Sequence, residues 1–175
     1  MKVLCCSSLL FLLVACGEKP APEPMPASPA VAALMLSQPP TEPARAVLAA
    51  KQAAAGEAIV VTGRIQSLVK GLAAFSLMDN ALAYCGEKHA ESCRTPWDYC
   101  CESKETRLQH TLPVEARGAD GRPLPTLGLG DLRLLDRVSV AGRLETDEHG
   151  NLVLIATGWF REQRPQLPEN LRWPQ

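Results

Sequence analysis

Hydrophobic and polar residues alternate with a period of two through most of the second half of the chain, which is typical of β-strands with one buried face. In "EAIVVTGRIQSL" (57–68), for example, Ile59, Val61 and Ile65 fall on one face. Four further segments each contain a strand-like pattern. Residues 71–79 alternate throughout, and residues 111–124 give a strand, a turn at 118–121 and a return. Residues 130–145 give a short helical or looped piece and then a strand, and residues 147–160 give a turn at 149–151 and a last strand. Pro113 cannot donate to a ladder, so we expect the third strand to be bulged or at an edge. The pattern therefore predicts five strands and an all-β domain.

The segment before these strands is rich in proline. Residues 17–43 hold eight of the chain's fifteen prolines, a composition that favours extended, polyproline-like chain without a packed core. We therefore expect residues 16–43 to be a tether, reaching roughly 80 Å at about 3.1 Å per residue. Within it, "AVAALMLS" (30–37) is apolar enough to touch either a membrane or the folded domain.

Between this tether and the first strand, the segment "TEPARAVLAAKQAAAG" (41–56) predicts a short helix. Thr41 can cap it, Pro43 suits the first turn and Gly56 can end it, around an alanine-rich interior. We assign the helix to residues 44–56 and give it no chemical role.

The first residues have the layout of a secretory signal. Lys2 precedes an apolar run that is too short to span a membrane. The run ends in Leu13-Val14-Ala15-Cys16, which resembles a bacterial lipobox, in which the signal (1–15) is removed and the cysteine is lipidated. The alternative is an ordinary secretory signal that ends near a cysteine by chance. The lipobox reading predicts a lipid-anchored protein of the bacterial cell envelope, and by resemblance to lipoprotein sorting Gly17 favours the outer membrane, facing the periplasm.

Processing at Cys16 simplifies the cysteine count. Of the seven cysteines, two leave with the signal and one carries the lipid. The remaining four are Cys85, Cys93, Cys100 and Cys101. An even number of cysteines in an exported chain predicts a disulfide framework, because that compartment is oxidising.

The strand order and two glycines resemble the oligonucleotide/oligosaccharide-binding (OB) fold. "VTGRI" in the first strand and "VAGRL" in the fourth place a glycine where a strand of a small closed barrel must bend. The resemblance implies a small five-stranded Greek-key barrel over residues 57–162, with a C-terminal tail over 163–175. Another small β-barrel or a sandwich is the alternative.

The cysteines fall in a loop that such a barrel does not need. We expect residues 80–105 to be an insertion between strands 2 and 3, and long loops of this kind are uncommon unless they are functional or pinned. The string "TPWDYCC" (95–101), with "VTGRI" before it and "GNLVLIATG" after it, is similar to an uncharacterised family of bacterial exported OB-fold proteins. The resemblance implies fold and export and assigns no activity, and the family's cysteine pattern requires no histidine in the spacer.

Two chemistries compete for the cysteines. In the first, adjacent Cys100 and Cys101 each bond elsewhere, to Cys85 and Cys93 in either arrangement, while Trp97, Asp98 and Tyr99 pack the loop down. In the second, the four thiolates bind Zn²⁺ or Cu(I), and His89 adds a ligand if residues 85–93 form a helix. The spacing C-x₇-C-x₆-C-C departs from the paired C-x₂-C of familiar zinc sites, and thiols in an oxidising compartment tend to form disulfides first.

Catalysis and nucleic-acid binding are disfavoured. Cys100-Cys101 is not the C-x-x-C of thiol–disulfide oxidoreductases, although a redox role is a third hypothesis, and His110, His149, Asp79 and Asp98 form no recognisable catalytic motif. From Lys51 onward the net charge is −1, without the basic footprint that nucleic acid requires, and we expect Arg64, Arg137 and Arg143 to lie on a solvated strand surface.

The sequence thus predicts a lipoprotein whose OB-like domain is a non-catalytic binding or scaffolding module with a disulfide-stapled loop, and no cofactor. Its partners would be the membrane, through the lipid, and a protein, glycan or small-molecule ligand. The alternative is a metal-binding lipoprotein that uses the same cysteines.

Overall fold

The computed structural model describes residues 25–88 and 95–166. The signal, Cys16, His89, Cys93 and the tail from residue 167 lie outside the described residues. The strands are β1 (Arg45–Ala46), β2 (Ala58–Leu68), β3 (Ala74–Met78), β4 (Thr111–Glu115), β5 (Arg137–Thr146) and β6 (Leu152–Gln163). The helices are α1 (Pro29–Ala32), α2 (Val47–Ala50), α3 (Cys85–Lys88) and α4 (Lys104–Gln109).

The strands form one six-stranded mixed sheet in the order β1-β2-β3-β4-β6-β5, and β2 also pairs with β5. The β1–β2 and β4–β6 pairs are parallel and the others antiparallel. The prediction of a β-rich fold is confirmed, and β2 to β6 overlap the five predicted strand segments. The sixth strand is β1, two residues long, which the alternation did not show.

The hydrophobic core lies against the sheet and takes its side chains from the faces that the alternation marked. Ile65 of β2, Leu77 of β3 and Leu154 of β6 are fully buried within it. Trp159 is its largest member and meets Phe75 edge-on, with ring centroids 5.7 Å apart. The period-two pattern predicts these strands well because each of them turns one face toward this core.

The glycines of "VTGRI" and "VAGRL" sit where the backbone passes close to its neighbours. A Cβ on Gly63 would lie 2.8 Å from the carbonyl oxygen of Met78, and one on Gly142 would collide with the carbonyl oxygen of Ile155. The β5–β6 register shifts between Ala141 and Gly142. These positions therefore require glycine for close approach, as expected where strands bend.

The segment expected to be one helix over residues 44–56 is mostly not helical. Arg45 and Ala46 pair with β2, and α2 has only four residues, of which Val47 and Ala50 are buried. Alanine favours helix only weakly, and here pairing along the sheet and the burial of Val47 override that preference.

Part of the segment expected to be a tether lies on the folded domain. Val31 of α1 is fully buried in the core. Leu36 donates its main-chain N–H to the Trp159 carbonyl, and Trp159 donates back to Leu34, both at 2.8 Å. The apolar stretch 30–37 thus contacts the domain, one of the two roles its composition allowed.

The connection from β3 to β4 runs over residues 79–110 and contains α3 and α4. The predicted insertion ends at residue 105, but residues 104–109 are helical, with the Ser103 side chain accepting a hydrogen bond from the Thr106 N–H at 3.1 Å. β4 lies between β3 and β6 rather than at an edge. The ladder between β4 and β6 begins at Val114, directly after Pro113. Pro113, which has no N–H to donate, therefore lies outside that ladder.

Candidate functional site

Three cysteine sulfurs converge in the β3–β4 connection. The Cys85 Sγ atom lies 3.2 Å from that of Cys100 and 3.5 Å from that of Cys101. Cys85 is buried at the start of α3, whereas Cys100 and Cys101 are exposed. All three sulfurs lie within 4.8 Å of one another. Cys93 and His89, the other predicted members of this site, lie outside the described residues.

The main chain holds the two halves of this loop together. The Cys85 N–H donates to the Asp98 carbonyl at 2.7 Å, and the Gly86 N–H donates to the Pro96 carbonyl at 2.6 Å. A Cβ at Gly86 would lie 2.9 Å from that Pro96 oxygen. The backbone of "TPWDYCC" is therefore fixed against α3, which places the vicinal cysteines beside Cys85.

A small hydrophobic cluster includes the residues that directly precede Cys85 and Cys100 in the chain. We call it the loop cluster; it consists of the buried residues Met78, Tyr84, Tyr99 and Leu135, with Leu82 and Trp97 partly buried against them. Tyr99 is fully buried, and burial raises its pKa to about 12 against the opposing effect of the nearby Arg64 charge. Asp98 accepts the Tyr99 N–H through its side chain at 2.7 Å. Of the three residues expected to pack the loop, Tyr99 is thus buried, Trp97 half-buried, and Asp98 acts in a turn.

Arg64 joins this loop to the sheet. The sequence pattern placed Arg64 on a strand face but did not indicate these contacts with the loop. Its guanidinium donates to the Leu82 carbonyl at 2.9 Å and pairs with Glu87 at 3.0 Å. It also lies over the Tyr84 ring, 5.5 Å from the centroid. The alternation placed Arg64 on the outer face of its strand, but it cannot show that the long connection folds over that face. Only 17% of its side chain is exposed, so the expected solvated surface is wrong for this arginine.

Asp79 is a structural residue at the start of the connection. Its carboxylate accepts the Leu48 N–H of α2 at 2.8 Å and the Ala81 N–H at 2.9 Å. His110 ends α4, where its N–H donates to the Thr106 carbonyl at 3.0 Å. His149 lies exposed in the β5–β6 turn. The structure does not bring these groups together with the cysteines.

A partly buried ion pair next to the start of β5 supports the loop cluster, and no pattern in the sequence indicates it. Arg164 donates to both carboxylate oxygens of Asp136, at 2.8 and 2.7 Å, and Asp136 is fully buried. The preceding residue, Leu135, has a φ of 67°, which is unfavourable for a side chain of this size. Its N–H donates to the Ile65 carbonyl at 2.7 Å. These bonds hold the Leu135 side chain in the loop cluster.

The sulfur separations fit two kinds of chemistry. A disulfide requires about 2.05 Å between sulfurs, so a bond between Cys85 and Cys100 needs them about 1.2 Å closer than their 3.2 Å separation. Thiolates on a tetrahedral metal at about 2.3 Å would lie about 3.8 Å apart, slightly farther than observed. Cys85, Cys100 and Cys101 are therefore close enough to hold a metal ion, and equally close enough for one of the vicinal cysteines to bond to Cys85.

Among the described residues, no helix combines the length and the apolar character needed to cross a membrane. No protein-family model, no curated protein and no solved structure matches this chain.

Proposed function

We propose that this protein is a lipoprotein of the bacterial cell envelope, anchored through Cys16, whose folded domain is a non-catalytic binding or scaffolding module. The anchor rests on the lipobox-like sequence, and Gly17 favours the outer membrane, with the domain facing the periplasm. The resemblance of "TPWDYCC" and its flanking strands to exported OB-fold proteins supports the same assignment.

The domain fold that we propose is an OB-like Greek-key barrel made of β2 to β6. Its support is the cyclic strand order, since β2 pairs with β3, β3 with β4, β4 with β6, β6 with β5, and β5 again with β2. The close approaches at Gly63 and Gly142 occur in strands that such a barrel must bend. In this arrangement the cysteine-rich connection joins the second and third strands of the barrel.

The proposed role of the cysteines is to staple the loop as a preformed binding surface. One observation carries it: the buried Cys85 sulfur lies within 3.5 Å of both vicinal sulfurs, and Cys85 and Cys100 directly follow Tyr84 and Tyr99 of the loop cluster in the chain. The shorter separation favours a Cys85–Cys100 disulfide, which leaves Cys93 for Cys101. A stapled loop loses less conformational entropy when it binds, and preorganisation of this kind strengthens binding. The ligand class is a protein, a glycan or a small molecule; the balanced charge disfavours nucleic acid.

Disulfide mapping tests this proposal. The full-length protein is extracted from envelope membranes without reductant, after free thiols are blocked with N-ethylmaleimide, and digested for mass spectrometry. We expect an acylated N-terminal peptide at Cys16 and linked peptides joining Cys85 to Cys100 and Cys93 to Cys101. Alkylation of all four loop cysteines would contradict the staple, and an unmodified signal sequence would contradict the anchor.

Metal binding is the second candidate function. It is favoured by the observation that three sulfurs converge rather than two, at separations nearer to those of metal-bound thiolates than to a covalent bond. Three sulfurs suit Cu(I), and a fourth ligand would complete a Zn²⁺ site. A thiol–disulfide redox role is the third candidate, since Cys100 and Cys101 are exposed. These two cysteines are adjacent, however, and do not form the C-x-x-C motif at a helix N-terminus that is typical of such proteins.

A further inference from the structure

The described chain begins beside an exposed apolar surface. Leu127 and Met25 are 71% and 59% exposed, and Leu68, Val69 and Leu72 are each more than one third exposed. We call these five residues the entry patch.

Contacts between neighbouring segments bring the entry patch together. The Met25 main chain is pressed against Gly128, since a Cβ there would lie 2.5 Å from the Met25 oxygen. Leu72 forms a bridge with Pro125, and the Thr126 N–H donates to the Gly71 carbonyl at 3.1 Å. An open groove of about 430 Å³ runs between these segments, and its lining is mainly apolar. Met25, Leu72 and Leu127 therefore lie on neighbouring segments, and Leu68 and Val69 belong to the same segment as Leu72.

Its distance from the proposed anchor is limited by the chain itself. Ser28 donates its N–H to the Thr126 side chain at 3.0 Å, and Val31 is buried in the core. Only residues 17–24 separate Cys16 from Met25, the first described residue. At no more than about 3.6 Å per residue, these allow roughly 30 Å, far less than a free tether over residues 16–43 would allow.

The entry patch and the cysteines lie toward opposite ends of one strand pair. In the β3–β4 ladder, Ala74 pairs with Glu115 at the end nearest the patch, and Met78 pairs with Thr111 at the end where the cysteine-bearing connection leaves. A surface that rests on the patch therefore leaves the cysteine loop on the far side. Lys70, exposed in the same turn as Val69, adds a cation that suits lipid phosphates.

We infer that the entry patch is the membrane-facing surface of the protein, lying in the headgroup region of the phospholipid bilayer that holds the lipid on Cys16. The inference rests on the proposed anchor and adds an orientation to it. Exposed apolar side chains within reach of the bilayer gain by leaving water for its interface. The loop then projects away from the membrane, where a soluble ligand has access to it.

Quenching by brominated lipids tests this orientation. The full-length lipidated protein carries Leu127→Trp or, as a matched control, Leu108→Trp; Leu108 is 61% exposed but lies in α4, near the other end of the β3–β4 pair. Each variant is reconstituted into phosphatidylethanolamine–phosphatidylglycerol vesicles with brominated acyl chains, and the emission of the unmodified protein is subtracted. We expect the added L127W emission to be quenched at least twofold and the added L108W emission to be nearly unchanged.

The outcomes separate the inference from the anchor. Equal quenching of both variants, or of neither, in a protein whose mass includes the acyl chains would overturn the orientation and leave the anchor standing. A mass without acyl chains would overturn both. If the L127W indole escapes both the lipid quencher and aqueous acrylamide while the protein is dimeric, the patch binds a second copy of the chain and the inference is wrong.

Discussion

The two buried clusters of this protein are held in different ways. The main core takes aliphatic and aromatic side chains from five strands, and main-chain ladders fix each of those strands on at least one side. The loop cluster has four buried residues, and the connection beside it is fixed by a few main-chain bonds, by Arg64 and, in our proposal, by disulfides. Removal of one apolar side chain should therefore disturb the sheet as a whole, whereas removal of one link should release the loop alone.

The comparison indicates why the proposed cross-links would stabilise a connection of this length. Ordering each residue of the loop costs about 1–2 kcal/mol of backbone entropy, and so few buried side chains offset only part of it. Links that already restrict the unfolded chain reduce this cost.

We expect the largest change in stability from a substitution in the main core, and the matched substitution in the loop cluster shows the difference between the two. Trp159→Ala, in the main core, should lower the free energy of unfolding by about 3–5 kcal/mol, because a fully buried ring leaves a cavity. Trp97→Ala is the matched change in the loop cluster and should cost about 1 kcal/mol, because that ring is only half-buried. Chemical denaturation measures both. Equal decreases in the free energy of unfolding would show that the loop cluster contributes as much to stability as the main core, contrary to this expectation.

Removal of the proposed staple comes next. Cys85→Ser combined with Cys100→Ser should lower the free energy of unfolding by about 3 kcal/mol in the chain-entropy model, and limited proteolysis should then cut within residues 80–103. The double variant avoids leaving an unpaired thiol. Cys93→Ser combined with Cys101→Ser tests the second proposed disulfide in the same way, and we expect a similar decrease in stability. If neither pair changes stability or cleavage, the cysteines do not hold the loop.

A smaller effect is expected from the side chain that joins the loop to the sheet. Arg64→Met removes the hydrogen bond to Leu82 and the pair with Glu87 and should cost about 1–3 kcal/mol, with faster proteolysis of the loop. Arg122→Met, at an exposed arginine in the loop after β4, is the control and should change stability by about 0.5 kcal/mol or less. An equal effect of the two substitutions would mean that Arg64 has no special role in the loop.

The ionisation of Tyr99 is expected to have the smallest effect on the free energy of unfolding at neutral pH. Its pKa of about 12 in the folded protein exceeds the value of about 10 for unfolded tyrosine. The resulting stabilisation is complete below about pH 10 and is lost as the pH rises through the folded pKa, at about 1.4 kcal/mol per unit. Ultraviolet titration should show one tyrosine ionising near pH 12, and Tyr99→Phe should remove that step. Ionisation of Tyr99 near pH 10 would show that the loop cluster admits water.

The strands could be predicted from the sequence because each turns one face toward the main core. The alternation in β2 and β5 is a direct result of that burial, and the glycines at 63 and 142 mark close approaches that only glycine allows. Helix α4 gave no comparable signal, since its apolar residue Leu108 is exposed and no stripe marks a buried side. The alanine-rich segment before β2 gave a misleading signal, because propensity is weak beside sheet pairing.

The site could be predicted only in part. Cysteine count and spacing placed Cys85, Cys100 and Cys101 in one loop, and the structure brings their sulfurs together. The involvement of Arg64 and the burial of Tyr84 depend on how the long connection folds back over β2, which no local pattern encodes. Likewise, Val31 could be recognised as apolar but not as part of the core, because its partners are distant in sequence.

Whether disulfides hold the loop can be measured directly by intact mass spectrometry under native and denaturing conditions. Full-length protein is isolated from envelope membranes without reductant or chelator and compared with a reduced sample. We expect a denatured mass about 4 Da below the reduced mass, two hydrogens for each disulfide, and no metal in the native spectrum. A denatured mass equal to the reduced mass, with a native adduct of zinc or copper, would contradict this expectation and make the cysteines metal ligands.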